Sequence, residues 1–222
     1  MGKRAVRIVG CVSQKGGVAK SSLARLVARE YAARGQRVLL ADLDTFQATA
    51  LDWSHRRQAA GLQPAVPVIA AESVKQAIKA GRRAEADLLV LDGRGFSDRQ
   101  TLEIAEAARA LLLPTGLSVD DLKPSVRLAH ELTATGFPAA RLSFALCRAE
   151  EGAEAEEARL YLTEAGYACL GPVFPERAGF RRAHDEGRAA TEARHPQLRS
   201  RATGFAAALL AFIDSTEDKR RD

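Results

Sequence analysis

Cysteine is scarce in this chain: Cys11, Cys147 and Cys169 are odd in number, far apart and without CxxC spacing. That argues against a disulfide framework, a zinc site or an iron–sulfur cluster, and the three read as small buried hydrophobes in or beside strands. No run approaches the roughly 20 consecutive apolar residues of a membrane-spanning helix. The opening Met1–Val9 runs straight into a strand-like segment, without an apolar signal region or a small-residue cleavage site, so residence in the cytoplasm is expected. Internal repeats, low-complexity tracts and Pro/Ser-rich linkers are missing, which favours a single domain over 1–214 with a charged tail over 215–222. Neither a helix-turn-helix nor an extended basic N-terminal arm is evident, so sequence-specific operator binding is not expected.

What is present is an ordinary soluble composition, 46% apolar and 27% charged in 222 residues, enough to bury a full core. Short β-rich apolar runs alternate with amphipathic segments, the pattern of an α/β fold with a mostly parallel sheet covered by helices. The strands are expected at Val6–Val12, Arg37–Ala41, Val66–Ala70, Asp87–Leu91, Ala110–Leu113, Leu142–Cys147 and Ala168–Val173. Most are continuously apolar rather than alternating, as strands buried on both faces are. Helices are expected at Ser21–Arg34, closed by Gly35, at Glu72–Ala80, ending at Gly81, at Glu154–Glu164 and at Leu198–Phe212. A further helix opens on Ser118, with Asp121 three residues on as a weak capping box, and stops at Gly136; Pro124 places its start later than Ser118. The last helix lacks interleaved basic residues and reads as packed on the body, not as an interfacial membrane anchor.

The segment Lys15-Gly-Gly-Val-Ala-Lys-Ser-Ser22 lies between the first strand and the first helix. Backbone amides at a helix start, a flexible turn and a lysine are what polyphosphate binding requires. Lys20 would neutralise β/γ-phosphates, and the Ser21 hydroxyl would ligate Mg²⁺. Lys15, five residues earlier beside Gly16 and Gly17, is placed to add a second charge. Two strands then end in acids: Asp42 with Asp44, and Asp92. Carboxylates at such edges hold Mg²⁺ through water or orient the attacking water. Arg94, just past Asp92, reads as a solvated loop residue, with contact to a γ-phosphate or a partner subunit as the alternative. From Arg177 to Arg201 there are seven arginines (177, 181, 182, 188, 194, 199 and 201) against three acids, a candidate surface for non-specific, salt-sensitive DNA contact or a solvated face.

Together these motifs resemble the ParA/MinD family of deviant Walker A ATPases, over nearly the full length and most specifically at Lys15–Ser22. The resemblance implies a P-loop NTPase fold of about seven or eight strands. It implies that Lys15, Gly16, Gly17, Val18, Ala19, Lys20, Ser21 and Ser22 cradle ATP, with Lys15 reaching the partner's nucleotide in an ATP-sandwiched homodimer. Asp44 would support hydrolysis, Ser21, Asp42 and Asp92 would serve Mg²⁺, and Arg148 and Pro175 would flank the base. Weak hydrolysis raised by a ParB-like or cargo-linked adaptor, non-specific DNA binding through the arginine segment, a nucleoid location and no membrane partner follow from the same resemblance. Two departures stand out. Ala19 replaces the family's Gly, and Thr45-Phe46-Gln47 replaces Pro-Gln after Asp44. Two other readings remain: a degenerate ParA-like accessory protein of conjugative or DNA-transfer machinery, and a metabolic P-loop enzyme of the dethiobiotin synthetase type.

Overall fold

The computed structural model describes residues 5–95 and 98–218. Seven parallel strands form one sheet in the order β3-β2-β4-β1-β5-β6-β7. They are β1 (Arg7–Cys11), β2 (Val38–Asp42), β3 (Val68–Ala70), β4 (Leu88–Asp92), β5 (Ala110–Thr115), β6 (Leu142–Leu146) and β7 (Ala168–Cys169). Every residue of β2, β4, β5 and β6 is buried, which is why these strands read as unbroken apolar runs. Helices cover both faces. On one, α1 (Lys20–Ala33), α2 (Thr49–Ala59), α7 (Ala178–Asp185) and α8 (Pro196–Asp218) enclose a core containing Leu26, Tyr31, Trp53, Phe180 and Phe205. On the other, α3 (Val74–Arg83), α4 (Asp98–Ala107), α5 (Val119–Ala134) and α6 (Ala153–Glu164) pack over Leu89, Leu91, Ile104 and Phe144.

Several sequence expectations need correction. The fifth strand does not stop at Leu113 but runs through Pro114 to Thr115. Leu112 bonds Val12 and Thr115 bonds Cys147, so by alternation the missing amide of Pro114 faces the β1 side. There the β1 ladder has already ended, at Cys11–Leu112, and no bond is lost. The last strand is only two residues long, with Phe174 making an isolated bridge to Cys147. Gly81 does not end α3; it lies inside the helix, buried against Leu89. The helix after Ser118 starts at Val119 despite Pro124. Its capping box is not formed: the Ser118 hydroxyl donates to the Asp121 carboxylate at 2.8 Å instead of accepting a backbone amide. The final helix extends to Asp218, with Thr216 buried, and the remaining tail residues 219–222 lie outside the described residues. Helices α2, α4 and α7 lack sequence-level expectations altogether. Among the described residues no helix is long and apolar enough to cross a membrane, and α8 buries Phe205, Leu209, Leu210 and Ile213 in the body.

Strand β1 sits where the chain order reverses: α1 leads across β4 to β2, whereas α4 leads from β4 back across β1 to β5. Ligand crevices open at the carboxyl ends of strands at such a switch point. The loop between β1 and α1 lies there.

Candidate functional site

The segment after β1 folds into the loop that its glycines and helix-start position anticipate. Gly17 has φ +72°, and Ala19 is also left-handed, at φ +77°, ψ +18°. A left-handed alanine costs on the order of 1–2 kcal/mol, so the family's glycine at this position has a backbone reason. The Ser13 hydroxyl oxygen accepts the Lys15 amide at 3.0 Å and fixes the loop entrance. Lys20 is buried at the first residue of α1, and its ammonium donates to the Lys15 carbonyl at 3.0 Å. Burial lowers its pKa, while Asp92 acts in the opposite direction.

The three acids fall into different roles. Asp42 and Asp92 are register partners on adjacent strands and both are buried. Asp42 is saturated by the backbone: one oxygen accepts the Asp44 amide at 3.1 Å, the other the Ala50 amide at 2.8 Å and the Leu51 amide at 3.4 Å. It thereby caps α2, whose own N-cap residue, Ala48, has no side-chain oxygen to offer. Neither oxygen of Asp92 has a hydrogen-bond partner. Burial pushes its pKa up to about 7, against the pull of Ser21, Arg25 and Lys20. Asp44 is half-buried and turns the following loop, accepting the Gln47 amide at 3.2 Å. Phe46, in that loop, is 89% exposed.

The second loop lysine is engaged inside the subunit. Lys15 Nζ lies 2.8 Å from Asp121 on α5, and this contact holds the Asp121 carboxyl below its usual range. Asp121 was legible only as a cap. Arg148, in the left-handed region at φ +61°, straps the loop from above. It donates to the Gly17 carbonyl at 2.7 Å and to Glu176 at 2.6 Å. Gly17, Ala19, Ser22, Arg148, Pro175 and Glu176 line a cleft of about 250 Å³. Val18 and Gly16 face a neighbouring cleft of about 800 Å³ with Lys15, Asp121 and Arg148.

Trp53 is buried and donates to the Arg188 carbonyl at 3.0 Å, a packing role. Arg25, a buried residue of α1, lies over the Trp53 ring at 5.9 Å; nothing in the sequence marked it. The arginine segment is spread over α7, the following loop and α8, and five of its seven members share three carboxylates. Arg177 and Arg201 pair with Glu150, Arg181 with Glu176, and Arg188 and Arg194 with Glu186. Arg182 and Arg199 are exposed and make no such pair among the described residues.

The residues suit a magnesium–nucleotide complex. A fully buried carboxylate with two unsatisfied oxygens is costly unless a cation or its water shell meets it, and Asp92 is such a group beside Ser21 and Lys20. Among the described residues no cluster of three or more His, Cys, Asp or Glu would bind a metal by itself, so the ion's remaining ligands would come from phosphate and water.

Comparison with known proteins agrees with this geometry. No curated protein sequence matches the chain. The solved structure of the cell division ATPase MinD from Pyrococcus furiosus superimposes with a TM-score of 0.71 at 19% identity, over 92% of this chain and 98% of that one. MinD from Pyrococcus horikoshii, complexed with Mg-ADP, gives 0.72 at 17% identity over 92% and 96%. A ParA family ATPase from Chlorobium tepidum gives 0.64 at 16% over 91% and 99%. The model of the CobQ/CobB/MinD/ParA nucleotide binding domain matches residues 9–190, and the chain belongs to that family of P-loop ATPases.

Proposed function

We propose that this chain hydrolyses ATP with Mg²⁺ and cycles between a monomer and an ATP-sandwiched dimer. In the dimeric state it holds DNA without sequence preference and positions a DNA or protein cargo through a ParB-like adaptor. The observation that carries the reading is the orphaned Asp92 carboxylate beside Ser21 and the two lysines of one loop. Lys20 neutralises β- and γ-phosphate oxygens, Ser21 and Asp92 hold Mg²⁺ directly and through water, and Asp44 positions the attacking water. Asp42 keeps the Asp44 loop in place by capping α2. Magnesium supplies charge neutralisation of the phosphates when bound. Lys15 is free to leave Asp121: the pair is about one-third exposed, and such contacts hold only about 0–1 kcal/mol. Its release allows it to reach a partner's nucleotide. Arg148 and Pro175 flank the base.

For DNA, two surfaces are available. The arginines of 177–201 are mostly paired, yet the pairs are exposed and exchange readily for phosphates. Helix α3 presents Lys75, Lys79, Arg82 and Arg83, all exposed and without ion-pair partners among the described residues. The MinD and ParA likenesses favour this reading over the degenerate and carboxylase alternatives, and the exposed basic surfaces have no task in a carboxylase.

The test is retention on plain duplex DNA with ATP, ADP or no nucleotide, with molecular mass measured in each state and ATP turnover measured with and without DNA. ATP-specific, salt-sensitive retention of a dimer is expected. A monomer in all three states that ignores DNA would refute the switch. Charge reversal at Arg182 and Arg199, against charge reversal at Lys79 and Arg82, identifies the surface.

A further inference from the structure

We propose that Arg94 is a catalytic residue whose guanidinium binds the γ-phosphoryl group of ATP held by its own subunit's phosphate loop; this rests on the ATPase reading above. Strand β4 ends at Asp92, and the loop that follows is pressed against the cradle on both sides of Arg94. The Gly93 amide donates to the Cys11 carbonyl at 3.0 Å, and a Cβ on Gly93 would stand 2.8 Å from that oxygen. A Cβ on Gly95 would lie 3.4 Å from Lys20 Nζ and 3.5 Å from Gly16. Between them the Arg94 amide is held by the Gln100 side chain at 2.8 Å, and Gln100 is in turn bonded to the Leu43 carbonyl at 3.3 Å. The backbone is fixed, while the side chain is exposed.

Arg94 is also the uncommitted charge of this edge. Lys15 is paired with Asp121, Arg148 with Glu176, Arg177 with Glu150 and Arg181 with Glu176, and Lys20 donates to the Lys15 carbonyl. The Arg94 guanidinium has no bonded partner among the described residues. Its reach suffices. Adding one carbon–carbon bond to the 3.4 Å approach puts the Gly95 Cα within about 5 Å of Lys20 Nζ, and one peptide adds about 3.8 Å to the Arg94 Cα. An arginine spans on the order of 6–7 Å from Cα through ordinary bonds, and its N–H groups add about 3 Å of hydrogen-bond reach. A phosphate oxygen held between Lys20 and Arg94 is therefore within reach of the guanidinium.

In hydrolysis the water oxygen bonds to the γ-phosphorus while the bond from that phosphorus to the bridging β–γ oxygen breaks. ADP leaves with the bridging oxygen and its electron pair, inorganic phosphate keeps the water oxygen, and the water proton passes to phosphate or solvent. Charge spreads over the equatorial γ-oxygens. A planar fork of N–H donors that never deprotonates suits those oxygens, and Arg94 exchanges no proton.

The test compares wild type, Arg94→Ala and Arg94→Lys in three measurements: turnover at saturating Mg-ATP, calorimetric affinity for ADP, and trapping of ADP by aluminium fluoride, which mimics the transferring phosphoryl group. Arg94→Ala is expected to slow turnover about a hundredfold or more, the cost of removing one positioned donor. It should also weaken the fluoride trap at least tenfold and leave ADP affinity within twofold. Arg94→Lys recovers only part, since a point charge replaces the fork. Wild-type turnover and trapping in Arg94→Ala would make this a solvated loop arginine and overturn the assignment, as would ADP affinity falling in step with turnover. A wild-type protein that binds ADP but never turns over ATP would instead defeat the ATPase reading, and the trap comparison alone would then decide whether Arg94 meets the γ-phosphoryl position.

Discussion

Replacing Asp92 by Asn tests whether the proposed magnesium site is built at the expense of the fold. The carboxyl is fully enclosed and has no hydrogen-bond partner for either oxygen, and burial pushes its pKa from 3.8 up to about 7. Below its ordinary pKa the group is neutral folded and unfolded, and burial of charge costs nothing. As pH rises, the unfolded chain releases its proton first, and stability is lost progressively until about pH 7, where the folded form ionises too. The rise from 3.8 to about 7, at 1.36 kcal/mol per pH unit, corresponds to about 4 kcal/mol at pH 8, to order of magnitude. Asn keeps the shape without the charge. Urea unfolding of the nucleotide-free protein should therefore show Asp92→Asn more stable than wild type. The gain should be larger at pH 8 than at pH 5 by close to 3 kcal/mol on the same scale. With Mg-ATP added the order should invert, because the ligand stabilises the state that offers it a carboxylate. A variant less stable than wild type without nucleotide, or one whose gain ignores pH, would refute the claim that this carboxylate is an under-compensated charge.

Three further outcomes follow from local geometry. Ala19→Gly removes a left-handed alanine at φ +77° and should stabilise the fold by about 1 kcal/mol in urea unfolding, after the larger entropy of the unfolded glycine is set against the relief. Gly187→Ala should cost on the order of 3 kcal/mol or more. Its φ is +75°, and the new Cβ would fall 2.2 Å from the Arg57 amide nitrogen, which is backbone and cannot swing aside. Asp121→Asn should change stability by less than about 1 kcal/mol, as expected for a partly exposed pair. By releasing Lys15 it should raise the dimer fraction at limiting ATP, read by light scattering.

Much of the fold was legible because its signals are local. Buried parallel strands announce themselves as continuous apolar runs, and the phosphate loop is a contiguous stretch whose Lys20 and Ser21 occupy the first turn of α1. What escaped depends on residues distant in sequence. Helix α2 has no starting signal because its cap is the Asp42 carboxylate, eight residues before the Ala50 amide that it accepts. Pro114 reads as a strand breaker until the β1 ladder is seen to end before it. Asp121 reads as a helix cap, whereas its main partner is Lys15, 106 positions away. The arginine segment reads as strongly basic over a 25-residue window because Glu150 and Glu176, which pair with three of its members, lie outside that window.

The two buried aspartates show how one sequence pattern separates into two physical roles. Asp42 and Asp92 close neighbouring strands at the same register, and the sequence offers no ground for ranking them. Three backbone amides converge on Asp42 and offset part of its desolvation, and a cation would have to displace a helix cap to reach it. Asp92 receives no backbone amide, and Ser21, Arg25 and Lys20 offset its burial only in part, so it carries its charge at the expense of stability. A group held ready in this way gains most when a cation arrives. The difference in amide count, not the residue type, is therefore what supports the proposed placing of the metal at Asp92 and leaves Asp42 to hold the loop that carries Asp44.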